Sequence, residues 1–153
     1  MVSTLGLLLI TLAGLPVGLP DACTPVRCSC LEPPAPRTAL SAADAVFLGT
    51  VEVIRETTVL MDGADSGIPA REVTFRVHAA WKGLAAGTAR VMVTTGHGAG
   101  DCGFEFETGT AYLVYGQQSD GKVSTSICTR TAAASDARAD FDDLGQPPMV
   151  RHQ

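Results

Sequence analysis

The sequence predicts an all-β fold with minor α content: a small barrel of five mostly antiparallel strands with short helices. Three observations predict it. Runs rich in Val, Phe and Thr recur at even spacing, with Gly, Asp and Ser turn signals between them. One run alternates strictly, with Val73, Phe75 and Val77 on one side and Thr74, Arg76 and His78 on the other. The chain has 153 residues, 46% apolar and 18% charged, enough for one domain with a core.

The elements follow in order. Leu31 to Arg37 holds Pro33, Pro34 and Pro36, so it reads as extended chain that cannot donate to a sheet there. Ser41-Ala42-Ala43-Asp44 reads as a capping box over one helical turn. Ala45 to Arg55 is a strand, with Gly49 at a bulge or bend. Glu56 to Ala70, with Asp62-Gly63 and Ser66-Gly67-Ile68-Pro69, reads as an exposed, mobile loop or a hairpin tip with frayed ends.

Arg71 to Trp81 is the half-buried second strand, closed by Trp81-Lys82-Gly83, and Trp81 is expected to be largely buried. Ala89 to Thr95 is the third strand, and Gly96 to Gly103 is a glycine-rich loop carrying Cys102. Ala111 to Gly116 and Lys122 to Cys128 are the fourth and fifth strands, joined by a turn at Ser119-Asp120-Gly121. Ser135 to Leu144 reads as a helix capped by Ser135 and stopped by Gly145 and Pro147.

The ends are read separately. Leu5 to Leu15 is uncharged and apolar, too short to span a bilayer and suited to the core of an export signal, although no Lys or Arg precedes it. Residues 1–22 are therefore expected to be a signal peptide and 23–27 a short linker or pro-segment. Residues 28–145 are the folded domain and 146–153 a loose tail. A secreted, extracellular monomer with no membrane span is the expectation. A net charge of −5 with no Lys/Arg stripe removes the electrostatic basis for nucleic-acid binding.

The cysteines carry most of the information. Cys28 and Cys30 stand one residue apart and cannot easily bond to each other. Each can reach a distant partner, and joining them to Cys102 and Cys128 would clamp the start of the domain onto two later segments. Setting Cys23 aside, four cysteines allow three pairings. Cys-x-Cys after an export signal reads as disulfides rather than as a zinc site, for which wider spacings are usual.

No catalytic constellation stands out, and a non-enzyme without a cofactor is expected. His78 lies on the polar side of a strand, His152 in the tail, and His97 in the glycine loop beside a Cys102 expected to be oxidised. The Gly96-His97-Gly98-Ala99-Gly100 run lacks the Lys-Ser/Thr of a phosphate loop. Asp101, Glu105 and Glu107 read as a solvated face.

Cys28-Ser29-Cys30-Leu31, the prolines after it, and Ala43-Asp44-Ala45-Val46-Phe47-Leu48-Gly49 together resemble the N-terminus of the tissue inhibitors of metalloproteinases. Trp81-Lys82-Gly83, Cys102-Gly103-Phe104, Tyr112-Leu113-Val114 and Ser126-Ile127-Cys128 extend the likeness in one collinear order over residues 28–145. The resemblance implies a netrin-like OB-fold and the pairing Cys28–Cys102 and Cys30–Cys128. It also implies a function: the free α-amine and carbonyl of Cys28 chelate the catalytic zinc of a secreted metalloproteinase. Ser29 enters the specificity pocket, Cys30 is among the contact residues, and Leu31 with residues of loops 56–70 and 96–103 widens the contact. An alternative is a secreted netrin-like protein-binding module without inhibition. Three departures accompany the likeness: Ser41 stands where the animal inhibitors carry a third disulfide cysteine, the sequence shows no counterpart of their second domain, and Cys23 to Arg27 precede Cys28. Any residue acylating Cys28 would turn the amine into an amide, so inhibition requires a chain beginning at Cys28. Cleavage after Arg27 by a trypsin-like protease offers a route.

Overall fold

The computed structural model describes residues 28–60, 67–98 and 100–148. The expected signal peptide, the linker, Cys23 and the end of the tail lie outside the described residues. The elements are α1 (Pro36–Ala42), β1 (Ala45–Val59), β2 (Ile68–Lys82), β3 (Arg90–Gly96), β4 (Ala111–Ser119), β5 (Lys122–Ser124), β6 (Ala132–Ala133) and α2 (Arg138–Leu144).

Five strands close into a ring. β1 pairs with β2, β2 with β3, β3 with β5, β5 with β4, and β4 again with β1. All these pairs are antiparallel except β3–β5, where Val93 and Thr94 face Val123 and Ser124 in parallel. β6 adds to the outer side of β4. Ring closure leaves β1–β5 without a free edge along the paired stretches, which removes templates for unwanted pairing.

β1 serves two neighbours, one on each edge, and it bends. Its register with β2 shifts at three places, one of them between Leu48 and Gly49. A Cβ on Gly49 would lie 2.9 Å from the Arg76 carbonyl, so the close approach of β2 there depends on this glycine. Ala45–Thr50 pair with β4 on one edge while Val46–Val59 pair with β2 on the other.

The ring divides the apolar residues into two clusters. Phe47, Val51, Val73, Phe75, Val77, Val93, Phe106, Tyr112, Val114 and Val123 fill the inside. Phe75 meets Phe47 and Phe106 edge-on at 5.5 and 5.2 Å between ring centres, the arrangement favoured by the ring quadrupoles. Val46, Leu113 and Tyr115 point outward and pack with Ala39, Ala43 and Ala137 under the two helices. β4 is thus buried on both faces, and Tyr112 to Gly116 form an unbroken buried run.

Several boundaries differ from the sequence reading, each for a physical reason. The Pro-rich segment is not extended to Arg37: α1 begins at Pro36, whose missing N–H costs nothing at the first helical position. Ser41 does not cap a helix; it sits in the last turn and its hydroxyl bonds back to the Arg37 carbonyl. Residues 56–59 and 68–70 are strand rather than loop, because the β1–β2 ladder runs to Val59 and Ile68; residues 61–66 lie outside the described set. β5 stops at Ser124, and Ser126 to Cys128 lie in a turn region instead of a strand. α2 starts at Arg138 without a side-chain cap, since the Ser135 hydroxyl bonds to Asp136. The Asp120-Gly121 turn is as expected, with both residues at positive φ (51° and 76°). Trp81 is half-buried: its ring lies 6.0 Å from that of Phe141, and its Nε1 donates to the Gly145 carbonyl.

Candidate functional site at the cysteine clamp

Cys28, Ser29, Cys30 and Leu31 run without regular structure across one end of the ring. Cys28 is bonded to Cys102, and Cys30 to Cys128, with Cα–Cα distances of 5.2 and 5.1 Å. The bridges close sequence separations of 74 and 98 residues, which in the chain-entropy picture contribute about 4–5 kcal/mol each. Between and just beyond these anchors the side chains face outward: Ser29 is exposed and Leu31 is 93% exposed.

Two loops receive the clamp, and each is braced by its own polar groups. In the loop 96–103 the Asp101 carboxylate accepts the backbone N–H groups of His97, Gly98 and Gly103. Those donors, Gly98 and His97 foremost, hold its pKa below the ordinary carboxylate value. Cys102 takes a left-handed backbone (φ 59°). Gly103 is buried against the Gly96 carbonyl, and a Cβ at this position would collide with it. The His97 ring reaches Glu56 on β1 at 3.0 Å, and Glu56 also takes Arg71 Nε at 3.1 Å. The loop is thereby tied to the β1–β2 hairpin near its turn end.

The second loop, Thr125 to Thr131, is knotted by hydroxyls. Thr125, Thr129 and Thr131 Oγ1 atoms lie 2.8–3.0 Å from one another, and Thr125 also donates to the Tyr115 carbonyl. The Ile127 N–H donates to the Cys102 carbonyl at 3.0 Å, so the two loops are also joined directly. Arg130 secures the incoming chain. Its Nη1 donates to the Pro34 carbonyl, while Nε and Nη2 grip both oxygens of Asp140 at 2.8 Å.

Asp140 is buried, and burial pushes its pKa up. Hydrogen bonds from Arg130 and Tyr115 more than offset this and hold the carboxyl below its ordinary value. The same burial and the nearby carboxylate push the Tyr115 hydroxyl well above its usual pKa, so it stays a neutral donor to Asp140.

The sequence-predicted site residues are therefore gathered: Cys28, Ser29, Cys30 and Leu31 lie together, beside loop 96–103. No protein-family model matches this chain, and no curated protein matches it.

Other residues contribute that the sequence reading passed over. Ile127 is 42% exposed and adjoins Cys128, placing a second apolar side chain beside Leu31's end of the clamp. Val59, Leu60 and Ile68 are exposed at the far part of the β1–β2 hairpin. Asp101, which the sequence reads as part of a solvated face, instead accepts three backbone N–H groups of its own loop; the Arg130–Asp140 pair carries no sequence signal, because only the fold brings the two together. Among the described residues no helix is long and apolar enough to cross a membrane.

Proposed function

We propose that this protein is a secreted inhibitor of zinc metalloproteinases, built on a netrin-like OB-fold and acting through a free Cys28 terminus. The ring order β1-β2-β3-β5-β4, closed back to β1 through one parallel pair at β3–β5, supports the OB reading. One observation carries the functional reading: the first residues of the domain are clamped at both cysteines while Ser29 and Leu31 between and beyond them face solvent. A segment ordered before binding loses little further entropy in a protease cleft.

In that role the Cys28 α-amine, once deprotonated, and the Cys28 carbonyl oxygen are the ligands for the zinc of the partner enzyme, taking the place of its water. Ser29 enters the adjacent pocket. Leu31 and Ile127 supply apolar contact at the rim, and the β1–β2 hairpin with its exposed Val59 and Leu60 extends it. Inhibition of a panel of secreted zinc endopeptidases by a chain beginning at Cys28 tests the proposal, with Ser29→Arg and Leu31→Asp as ridge variants. Both variants should weaken inhibition and leave the melting temperature unchanged. No inhibition by a correctly bridged chain favours the alternative, a secreted protein-binding module on the same scaffold.

A further inference from the structure

The four clamp sulfurs lie within 4.8 Å of one another, the one group of this kind among the described residues. Part of this closeness follows from Cys28 and Cys30 standing one residue apart. Cys102 and Cys128 come from different loops and are not bonded to each other, yet their sulfurs are 3.7 Å apart. A zinc ion with four thiolates at about 2.3 Å needs sulfur–sulfur edges of roughly 3.8 Å. The cross-bridge pair already has that spacing; the bonded pairs would part to it once the bridges are open.

We infer that the reduced protein binds one zinc ion, or another soft divalent ion, through Cys28, Cys30, Cys102 and Cys128. The bridged and ion-bound forms are two chemical states of one fastening. In an oxidising compartment the four sulfurs form two disulfides. Where a dithiol reductant is present, four electrons open both bridges to four thiols, and the reductant is oxidised to two disulfides. Binding the divalent ion then displaces the four thiol protons, leaving four thiolates on the metal. Two features favour the site. The loops that carry Cys102 and Cys128 are joined by the Ile127 N–H to Cys102 carbonyl bond and are each braced internally by bonds that do not involve the sulfurs. Cys30 is exposed, which gives both reductant and ion a way in. This inference does not depend on the inhibitor reading, because the ion would hold the N-terminal segment whatever that segment contacts.

The test uses the full chain with Cys23→Ser, reduced by a dithiol and transferred to anaerobic buffer. It is titrated with Co2+ and then with Zn2+. The expected result is one Co2+ per chain with the intense visible absorption of tetrahedral thiolate-bound cobalt, displaced by one equivalent of Zn2+. The zinc-loaded reduced chain should melt cooperatively and lose that transition on adding a chelator. Cys102→Ser and Cys128→Ser, each in the same background, should weaken binding at least tenfold. The inference is overturned by the absence of the tetrahedral cobalt signature, by a signature that survives unchanged in both serine variants, or by an ion-loaded chain with no cooperative melt. The last outcome also covers chains that bind metal only through an unfolded state.

Discussion

Arg130 holds Asp140 through two parallel N–H···O contacts of 2.8 Å and, with its third nitrogen, holds the carbonyl of Pro34. One guanidinium thus connects the turn after Cys128, the second helix and the Pro-rich segment that follows the clamp. The carboxylate is nearly enclosed, with 9% of its side chain exposed against 23% for the arginine. Removing Arg130 leaves the buried carboxylate with the Tyr115 hydroxyl alone, and removing Asp140 leaves the guanidinium with the Pro34 carbonyl.

The first prediction concerns that pair. Arg130→Ala and Asp140→Ala should each cost about 3 kcal/mol, measured by urea unfolding. The double variant should cost less than the sum of the two. Additive losses would show that the contact contributes nothing of its own.

The pH dependence follows from Asp140 and Asp101. Both carboxyls have folded pKa values below the ordinary 3.8. A depressed carboxyl stabilises the fold fully above its unfolded value and loses that contribution as pH falls through the folded one. Stability should therefore be flat from neutral pH to about pH 5 and fall steeply below pH 4. Asp140→Asn and Asp101→Asn should lower the neutral-pH stability and flatten the acid slope. An unchanged slope in both variants would contradict the assignment.

Trp81 gives a third test. It is half-buried, packs on Phe141 and donates to Gly145. Trp81→Ala should cost about 2 kcal/mol, less than the 3–5 of a fully enclosed large ring. Trp81→Phe should recover most of the packing and lose only the hydrogen bond, about 1 kcal/mol. Equal losses in both would mean that the hydrogen bond carries the whole effect.

The hairpin supplies a fourth. Leu60 is 74% exposed and lies beyond the last pair of the β1–β2 ladder. Leu60→Asp should change stability by no more than about 0.5 kcal/mol. Under the inhibitor reading it should weaken binding to the protease, measured by titration at fixed enzyme. A large loss of stability would place Leu60 in the core of the fold instead of on a contact surface.

Much of the sheet was legible in the sequence because its signals are local. The Val73, Phe75, Val77 alternation survives as the inward face of β2, and Asp120-Gly121 adopts the turn its composition requires. The failures came where tertiary contacts decide. Glu56 to Val59 look like loop in isolation, yet cross-strand partners from Arg71 to Ile68 keep them in the ladder. Ser126 to Cys128 have strand composition, but the Cys30 bridge and the hydroxyl knot fold them into a turn. The clamp was readable because Cys-x-Cys disfavours self-pairing, while which cysteine meets which was implied only by the resemblance; the bracing by Asp101, Thr125 and Arg130 was not readable, since these meet their partners only in the folded chain.

The most direct test of the inhibitor reading is one acyl group. A chain beginning at Cys28 is prepared with both bridges formed, and half of it is acetylated at the α-amine under conditions that spare lysine. An unperturbed α-amine titrates near pH 7.7–8.0, so the free form offers zinc a lone pair at assay pH and the amide does not. The two forms should melt at the same temperature. Their inhibition of a susceptible zinc endopeptidase should differ by about 2 kcal/mol or more, roughly 30-fold in Kd, because the chelating group sits at the centre of the contact. Equal inhibition by the two forms would contradict chelation through Cys28.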